Sequence, residues 1–387
     1  MTRLKIAQVA TADSSISLLL KDQIQALQAA GHEVIAVCAP GSGVEEIREQ
    51  GIPVRTIPME RELSPLRDLR SLLQLFHCFR SERFDVVHTH TPKAGLLGPI
   101  AAKMAGVPMV VHTIHGLLYH DALPLWKRLL FWMPEKTTAL FSDYLLSQSR
   151  EDVSVAIRTW LCTKSKILYL GNGIDVSRFS PRSSTPDQTP DEQDTGRGRV
   201  VVGSVGRLVY EKGFAELFEA AEALADKYEK LEFVIVGPQE ADPRDAVEPG
   251  QINNLEKRGL VRFAGWQADM PAMYRAMDLF VLPSHREGIL RACMEAAAMG
   301  LPVIATDIRG CREVVLDGQT GTLVPVKNAA ALTAAIEQML QRPQEWAAMG
   351  GRARQHIVEN FNNRIIIQRL CSFYATVETK YSRPSVR

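Results

Sequence analysis

Short apolar runs alternate with amphipathic stretches along most of this chain. The first apolar run covers residues 4–9 and predicts a strand, and the polar residues 11–15 that follow predict a loop. Apolar residues then recur at helical spacing and predict a helix that ends at Gly31, namely Leu20, Ile24 and Leu27. A second apolar run at 34–37 completes the strand–helix–strand unit of a parallel sheet with a right-handed crossover.

The same alternation continues in two blocks. In the first block, helices are predicted at 65–83 and 94–105, and strands at 84–88, 107–113 and 166–169. In the second block, strands are predicted at 200–205, 231–236, 261–264, 279–282 and 302–305, with helices at 214–227 and 290–299 and a helical tail from residue 328. Between the blocks, residues 179–199 are rich in Pro, Ser, Thr, Asp and Gly and predict a solvated linker.

This organisation predicts an α/β protein of two Rossmann-like domains. Residues 1–178 form the first domain, 179–199 the linker and 200–362 the second domain, while a helix at about 363–387 returns to the first. That last helix carries a one-sided apolar stripe at Ile366, Leu370 and Phe373, which requires burial. Ligands of open α/β sheets bind beyond the carboxyl ends of the strands, so we expect the two sheets to face each other across a cleft that contains the chemistry.

Composition narrows the class of protein. Of 387 residues, 46% are hydrophobic and 23% charged, and the formal net charge is +1, which favours a globular protein and gives no general attraction to nucleic acid. The six cysteines form no Cys-x-x-Cys pair, which argues against structural zinc and a disulfide framework. No signal peptide and no long apolar span are evident, so the expected location is the cytoplasm.

The strongest local signal is the segment PSHREGILRACMEAAAMGLPVIATD at 283–307. Glu287 and Glu295 are eight residues apart, which on one continuous helix would separate them by about 80° of rotation. If Glu287 and Gly288 instead precede the helix, the amides of Ile289 and Leu290 become helix N-terminal donors suited to an anion. Glu295 would then lie one to two turns into the helix, where it could accept from a ribose hydroxyl pair. For the pair taken alone, a solvent-facing helix cap is the favoured interpretation.

A second signal is GSVGRLVYEKGF at 203–214, which follows a strand with a buried pattern. Arg207 and Lys212 lie in the loop before a helix that starts near Gly213. A guanidinium fork and an ammonium in this position suit a diphosphate leaving group, although an ordinary basic loop has the same composition.

Histidines form the third signal. His88 and His90 share a face at a strand end, and His115 ends the next strand, so all three are expected at one rim of the first sheet as polar site residues. His112 lies in mid-strand and is interpreted as structural. No third ligand accompanies the histidine pair, and no Asp-x-Asp, phosphate-binding P-loop or dinucleotide glycine motif is present, so neither a metal nor a cofactor is predicted.

Together these segments resemble family 4 glycosyltransferases of the GT-B fold, in particular the bacterial branch acting on lipid-linked or surface-polysaccharide sugars. The resemblance covers nearly the whole chain and rests on GHEV at 31–34, DVVHTHTPKAGLLG at 85–98, GNGIDVSRF at 171–179, GRLVYEKG at 206–213 and REGILRACMEAAAMGLPVIATDIRGCREVV at 286–315. It implies a retaining, metal-independent transferase that uses a nucleotide sugar, namely a UDP-sugar, as donor substrate.

The resemblance also implies roles for individual residues. Arg207 and Lys212 correspond to the basic residues that bind the donor diphosphate. Glu287 corresponds to the glutamate that contacts the transferred sugar, and Glu295 to the one that holds the ribose. His115 is carried over as an active-site residue near that sugar. The remaining assignments are Gly288, Ile289, Leu290 and Ser15 on the donor side and His88 and His90 on the acceptor side; no covalent nucleophile is assigned.

Two positions depart from the family pattern. Many members have a glycine pair in the first loop, where the backbone approaches the diphosphate closely, whereas this chain has Asp13, Ser14 and Ser15. Many members of this branch also have a proline where Leu290 stands.

Three functions remain open from the sequence. The leading hypothesis is transfer of a sugar to a polyprenyl-diphosphate-linked or growing surface glycan; the others are a nucleotide-sugar epimerase on the same fold and a catalytically silent assembly protein.

A lipid-linked acceptor would require peripheral contact with an anionic membrane. Candidate contacts are the helix at 65–83, with Leu66, Leu69, Leu73 and Phe76 among arginines, and the segment 123–136, with Trp126, Phe131 and Trp132 beside basic residues. Packing of both stripes on the sheet is the alternative.

Overall fold

The computed structural model of the chain describes residues 3–60, 64–119, 123–181, 198–239, 245–288 and 290–381. Two compact units are present. The first consists of Met1–Asn172 together with Arg364–Arg387, and the second of Gly173–Asn363. Each unit is an α/β domain with a parallel sheet, as the sequence predicted.

The first unit contains a seven-stranded parallel sheet. Its strands are β1 (Lys5–Val9), β2 (Glu33–Cys38), β3 (Val54–Thr56), β4 (Val86–Thr89), β5 (Met109–Ile114), β6 (Tyr144–Ser147) and β7 (Ile167–Tyr169). Their order across the sheet is β3-β2-β1-β4-β5-β6-β7. The helices are α1 (Asp13–Ser15), α2 (Lys21–Ala29), α3 (Val44–Glu49), α4 (Pro65–Glu82), α5 (Pro92–Ala105), α6 (Leu125–Phe141) and α7 (Arg150–Arg158).

The second unit contains a six-stranded parallel sheet. Its strands are β8 (Val200–Val205), β9 (Leu231–Val236), β10 (Val261–Gly265), β11 (Leu279–Leu282), β12 (Val303–Thr306) and β13 (Gly321–Val324), in the order β10-β9-β8-β11-β12-β13. The helices are α8 (Phe214–Ala225), α9 (Pro249–Lys257), α10 (Met270–Arg275), α11 (Arg291–Ala298), α12 (Cys311–Val314), α13 (Ala329–Leu340) and α14 (Trp346–Asn360). Helix α15 (Asn363–Tyr381) ends the described chain.

Both sheets reverse their direction of winding at one point. The first strand of each unit lies beside the fourth, so the reversal falls between β1 and β4 in one sheet and between β8 and β11 in the other. Connections leave these two strands toward opposite faces of the sheet and open a crevice at their carboxyl ends, which is where ligands of doubly wound sheets bind. The loops after β1, β4, β8 and β11 are therefore the places to look for function.

Helix α15 belongs to the first unit, which confirms the expected return of the C-terminal helix. Its apolar stripe packs into the same core as Leu4 and Ile6 of the first sheet. The buried positions are Ile366, Leu370, Tyr374 and Val377, whereas Phe373 is only partly buried and meets Tyr144 edge to face at 5.5 Å between ring centroids.

Several local expectations need correction. The polar residues 11–15 are not wholly a loop, because α1 begins at Asp13 and continues into a π-helical turn over Ile16–Leu20, whose end residues are buried. The elements that were not predicted are strands β3, β6 and β13 and helices α3, α6, α7, α9, α10 and α12. Of the predicted linker, residues 182–197 lie outside the described residues, while Phe179 is buried in a core of the second unit. The boundary between the two units falls between Asn172 and Gly173, whereas the sequence predicted a linker that begins at residue 179.

Candidate functional site

The loops after β8 and β11 meet in the second unit because these strands are neighbours. Lys212 ends a 3-10 turn, Tyr210–Lys212, between β8 and α8, and Glu287 lies between β11 and α11. The Lys212 Nζ lies 2.6 Å from the Glu287 Oε1. Lys212 and Glu287, two residues assigned to the donor site from sequence, are therefore an ion pair at the reversal point of this sheet.

The Glu287 carboxylate is well anchored. The Ser284 hydroxyl donates to the same oxygen, Oε1, at 2.6 Å, and the Glu287 side chain is only 7% exposed. Both contacts fall on one oxygen, so the lone pairs of Oε2 are available for a further donor. Ser284 was not identified from the sequence, where nothing distinguishes it from other loop serines.

Further contacts tie the two loops together. The His285 Nε2 lies 2.8 Å from Glu216 Oε1, and the Arg286 guanidinium lies 3.0 Å from the Glu211 carboxylate. The backbone amide of His285 also donates to the Glu211 carbonyl at 2.9 Å. These bonds fix the position of Glu287 relative to Lys212.

Gly213 allows the close approach of these loops. Its φ is +74°, in the left-handed region, and a Cβ built there would lie 2.0 Å from the carbonyl oxygen of Pro283. Any side chain at this position would push the two loops apart, so the glycine is required both by conformation and by space.

Helix α11 begins at Arg291, so Glu287 and Gly288 precede it, as the sequence analysis expected. Leu290 occupies the N-cap position and makes no side-chain capping bond; its own side chain is buried. The helix N-terminus thus offers backbone amides to an anion. Ile289, assigned to the same donor site, lies outside the described residues. Arg207 lies exposed in the loop that follows β8.

Glu295 lies apart from this ion pair, inside α11. It is 9% exposed; Tyr274 donates to its Oε2 at 3.0 Å, and the Arg291 Nε lies 3.4 Å from its Oε1. Burial raises the pKa of Glu295, and the Arg291 charge opposes this shift. Each carboxylate oxygen has one protein donor, which leaves acceptor capacity for a ligand hydroxyl. Tyr274 was not predicted from sequence.

The first unit gathers its histidines at the carboxyl edge of β4 and β5. His90 Nδ1 lies 3.2 Å from His115 Nε2, and His90 Nε2 lies 2.5 Å from Gln8 Oε1. The structure therefore brings His90 and His115 together, as the strand order predicted. Gln8 is the residue that sequence reasoning missed, although a buried polar side chain within the apolar strand β1 was a visible signal.

His88 is placed differently from its predicted role. It has no exposed surface, and its ring nitrogens lie 2.9 Å from the Tyr374 hydroxyl and 2.7 Å from the Thr113 hydroxyl. In this position the His88 ring packs against the neighbouring His90 ring. Both of its nitrogens are bonded inside the unit, so neither is presented to an acceptor substrate. His112 is buried and bonded to Thr89, in agreement with a structural role.

The loop after β1 contains Asp13 and Ser15. The Asp13 carboxylate accepts from the Gly43 amide and from the Ser14 amide, each at 2.8 Å, which joins this loop to the one after β2. Ser15 ends α1 and is partly exposed. Across the reversal point, the hydroxyls of Thr11 and Thr91 lie 2.6 Å apart. The Asp13 side chain thus packs against residues 41–43 of the loop after β2.

Within the described residues, no cluster of three or more His, Cys, Asp or Glu side chains is arranged to hold a metal ion.

Comparisons with known proteins agree with this architecture. The model for "Glycosyl transferase 4-like domain" matches residues 19–173, and that for "Glycosyl transferases group 1" matches residues 187–356. The capsular polysaccharide biosynthesis glycosyltransferase CapM of Staphylococcus aureus is 27% identical over 97% of this chain and 98% of its own length. An Escherichia coli UDP-Gal:alpha-D-GlcNAc-diphosphoundecaprenol alpha-1,3-galactosyltransferase is 29% identical over 93% of this chain and 94% of its own.

Among solved structures, Anabaena HepE in complex with UDP and glucose superimposes with a TM-score of 0.78 at 21% identity, over 97% of this chain and all of that one. This likeness shows the fold, and the family models together span both units. The chain therefore belongs to the family 4 glycosyltransferases of the GT-B fold.

Proposed function

We propose that this protein transfers a sugar, with retention of anomeric configuration, from a UDP-sugar to a saccharide on a polyprenyl diphosphate or a growing surface polysaccharide. The observation that carries the proposal is the Lys212–Glu287 ion pair at the reversal point of the second sheet. The pair places a cation that can bind a diphosphate within hydrogen-bonding distance of a carboxylate that can accept from a sugar hydroxyl.

The donor side follows from the chemistry of this pair. An ammonium has three N–H donors, and the Glu287 bond uses one, so Lys212 retains donors for a phosphate oxygen. Arg207 on the same loop and the N-terminal amides of α11 supply further positive potential. These groups would offset the charge that develops on the departing nucleoside diphosphate. Glu287 Oε2 would accept from the transferred sugar, and Glu295 from the ribose.

Two relatives support the choice of UDP. Anabaena HepE has been solved with UDP and glucose, and the E. coli relative is named for UDP-Gal. Retention comes from the family resemblance alone, and no protein nucleophile is assigned.

The acceptor class is supported by the names of the relatives. CapM is named for capsular polysaccharide biosynthesis, and the E. coli enzyme for a diphosphoundecaprenol acceptor. His115 and His90 at the edge of the first sheet supply polar groups for the reacting sugars.

Transfer is proposed to need no metal, because basic side chains and helix amides offset the diphosphate charge. With excess EDTA, turnover should stay close to that of the untreated protein. Loss of turnover that Mg²⁺ or Mn²⁺ restores would contradict this assignment.

A membrane-bound acceptor calls for contact with the bilayer surface. Within the described part of the chain, no helix has the length and apolarity to cross a membrane. Helix α6 nevertheless exposes a row of large apolar side chains, and Trp126 is 64% exposed with Lys127 5.3 Å from its ring centroid. The other exposed members are Leu125, Leu129, Leu130 and Met133. We propose that this row inserts into the headgroup region, where nearby basic residues add about 1 kcal/mol each.

The structure refines the two candidate membrane elements. Phe131 and Trp132 are partly buried against the first unit, and the Trp132 indole donates to the Thr159 carbonyl at 3.2 Å, so neither belongs to the exposed row. Helix α4 buries Leu75 and Phe79 but exposes Leu66, Leu69 and Leu73.

Flotation with anionic liposomes tests the contact. Wild type should float at low salt and less at high salt, and a Trp126→Ala, Leu130→Ala variant should float weakly. Trp266→Ala removes an exposed tryptophan of the second unit and is the matched control, which should float like wild type. Absence of wild-type flotation at low salt would contradict membrane contact and favour an acceptor free in solution.

A thermal-shift screen of UDP-, GDP- and ADP-sugars tests the donor assignment. A UDP-sugar should raise the melting temperature of wild type and raise it much less in Lys212→Ala. Stabilisation by a GDP- or ADP-sugar alone would contradict the choice of UDP, and an equal shift in the variant would contradict the role of Lys212. Conversion of donor without acceptor would favour the epimerase alternative.

A further inference from the structure

Helix α15 leaves an open groove beside the edge of the first sheet. The groove has a volume of about 570 Å³ and lies wholly within the first unit, between α15 and strands β6 and β7. Its walls are mainly apolar, and one of them, Leu168, is 42% exposed. The other large apolar side chains of the walls are Leu146, Ile365, Phe373 and Val377.

One end of the groove is positively charged. Tyr169, the last residue of β7, and Arg369 of α15 line this end, and the Arg369 guanidinium lies 5.2 Å from the Tyr169 ring centroid. Arg150, the first residue of α7, lies 4.2 Å from the centroid of the same ring. Two guanidinium groups therefore share one tyrosine ring.

Neither of these arginines forms an ion pair with a carboxylate of the described residues. The Arg369 Nη1 donates to the Leu170 carbonyl at 3.2 Å, and other N–H groups of its guanidinium remain for a ligand. Two like charges beside one ring repel each other, and an anion that bridges them replaces this repulsion by attraction. Guanidinium groups suit phosphate oxygens, with which they can form two parallel hydrogen bonds.

Gly171 keeps the charged end of the groove open. Its φ is +87°, and a Cβ built there would lie 3.0 Å from Arg369 Nη1 and 3.2 Å from the Tyr169 hydroxyl. A side chain at this position would crowd both groups, so the glycine preserves access to the Arg369 guanidinium.

The charged end lies near the edge of the first sheet that carries the histidines. Tyr169 is in register with Ser147, and Ser147 with Ile114, which precedes His115. Two strand spacings, about 10 Å, therefore separate Tyr169 from the strand that ends at His115. The apolar part of the groove extends along α15 up to Val377, over about 18 Å of helix.

We propose that this groove binds the carrier end of the acceptor, with Arg150 and Arg369 holding a diphosphate and the apolar walls holding the first isoprene units of a polyprenyl chain. The charges require an occupant that is anionic at one end, and the walls require one that is apolar along the rest. A polyprenyl diphosphate has both parts, whereas a nucleotide sugar or a free saccharide has no apolar chain. This inference rests on the proposed function, because it takes the acceptor to be lipid-linked.

Calorimetric binding of farnesyl diphosphate to the full-length protein tests the groove without any transfer. The wild type should bind this probe about tenfold more tightly, or better, than inorganic diphosphate, farnesol or dihexanoyl phosphatidylglycerol, each of which lacks the diphosphate or the isoprenoid chain. Excess UDP should not displace the probe, and Lys212→Ala should bind it as the wild type does. Displacement by UDP would place the probe in the donor site and overturn the proposal.

Variants of the groove locate the probe. Arg150→Gln and Arg369→Gln should each weaken its binding about tenfold, because each removes a charged donor to the diphosphate. Arg158→Gln, at an exposed arginine of α7, is the matched control and should bind as the wild type does. Ser372→Trp fills the groove from an exposed position and should also weaken binding, whereas Ala375→Trp, exposed on α15 outside the groove, should not.

The outcomes separate this inference from the proposed function. If farnesyl diphosphate does not bind, or binds equally well to Arg369→Gln and Ser372→Trp, the groove is not the carrier site even if the protein is a transferase. If binding shows the expected losses but no sugar reaches any acceptor, the groove binds the carrier and the proposed transfer fails. In a working transfer assay, Arg369→Gln should raise the KM for a lipid-linked acceptor and leave the donor KM unchanged.

Discussion

At the scale of single residues, the Lys212–Glu287 pair would keep a cation ready for the anionic donor that we propose. The bond between them, together with the Ser284 hydroxyl, holds the lysine tip in place before any ligand arrives. A preorganised charge does not have to reorganise when the diphosphate leaves.

The first prediction concerns the basic residues of this loop. Arg207→Ala and Lys212→Ala should each lower turnover about 10²-fold or more, the scale of losing one preorganised charge partner. Lys212→Arg should also be impaired, because a planar fork replaces a compact ammonium beside Glu287. Lys227→Ala, which removes an exposed ion pair with Glu337 in the same unit, is the control. Rates within threefold of wild type for both alanine variants would remove the assignment.

The second prediction separates the two glutamates by kinetics. Glu287→Ala should mainly lower kcat, because Glu287 lies beside Lys212 and its proposed contacts with the transferred sugar would strengthen during transfer. Glu295→Ala should mainly raise the donor KM, because ribose contacts are similar in the ground and transition states.

Steady-state kinetics of both variants provide the measurement. Tyr274→Phe, which removes only the donor to Glu295, should change KM in the same direction as Glu295→Ala. The reverse pattern of kcat and KM would exchange the two roles.

Sequence reasoning singled out the charged residues of the proposed site and missed the side chains that contact them. Arg207, Lys212 and Glu287 are recognisable because they follow strands, and Glu295 because it lies eight residues after Glu287. Ser284, three residues before Glu287, resembles any other loop serine, whereas Tyr274 and Gln8 act through contacts with residues distant in the chain. Gln8 and His90 are far apart in the chain and meet only because β1 pairs with β4.

At the scale of elements, strand order positions the chemistry. The loops after β8 and β11 meet because the fourth strand of the second unit lies beside the first, and Gly213 lets them approach closely. Long amphipathic helices such as α4 were predictable from apolar periodicity. Strands β3 and β6 have three and four residues, too few to reveal a period, so they were missed.

The third prediction concerns Gly213. A Cβ there would meet the Pro283 carbonyl, so Gly213→Ala should displace Lys212 from Glu287, lower donor affinity and lower the melting temperature. Gly259 also has a positive φ, +67°, but a Cβ there would meet nothing within 4 Å, so Gly259→Ala reports the backbone strain alone.

Donor binding by calorimetry and thermal unfolding should distinguish the two glycine variants. Gly259→Ala should lose some stability and keep wild-type donor affinity. Equal donor affinity in both variants would show that the Gly213 contact does not position the site.

At the scale of the whole molecule, the chain leaves the first unit after Asn172 and returns to it at Arg364. Helix α15 supplies buried side chains to the first core and brings the Tyr374 hydroxyl to Gln8 and His88. The end of the chain therefore contributes to the histidine edge of the first unit. The sequence predicted this return through the apolar stripe and the family resemblance, but not the Tyr374 contacts.

The fourth prediction tests this contribution. Leu370 is fully buried, so Leu370→Ala should cost about 2–5 kcal/mol of unfolding free energy. Gln368→Ala, at an exposed position of the same helix, should change it by no more than about 0.5 kcal/mol. Hydrogen exchange should accelerate in β1 and β4 of the Leu370→Ala variant and stay unchanged in β8 and β11. An equal acceleration of exchange in both sheets would contradict a role of helix α15 that is confined to the first unit.

The central claim is that this chain transfers a sugar from a nucleotide sugar to a separate acceptor. The most direct measurement is mass spectrometry of a polyprenyl-diphosphate-linked saccharide incubated with the protein, a UDP-sugar and EDTA. The account predicts that the acceptor gains the mass of one sugar residue, that UDP appears in equal amount, and that Lys212→Ala slows both together. An acceptor of unchanged mass with every nucleotide sugar and every saccharide acceptor, or a donor converted equally well without acceptor, would contradict it.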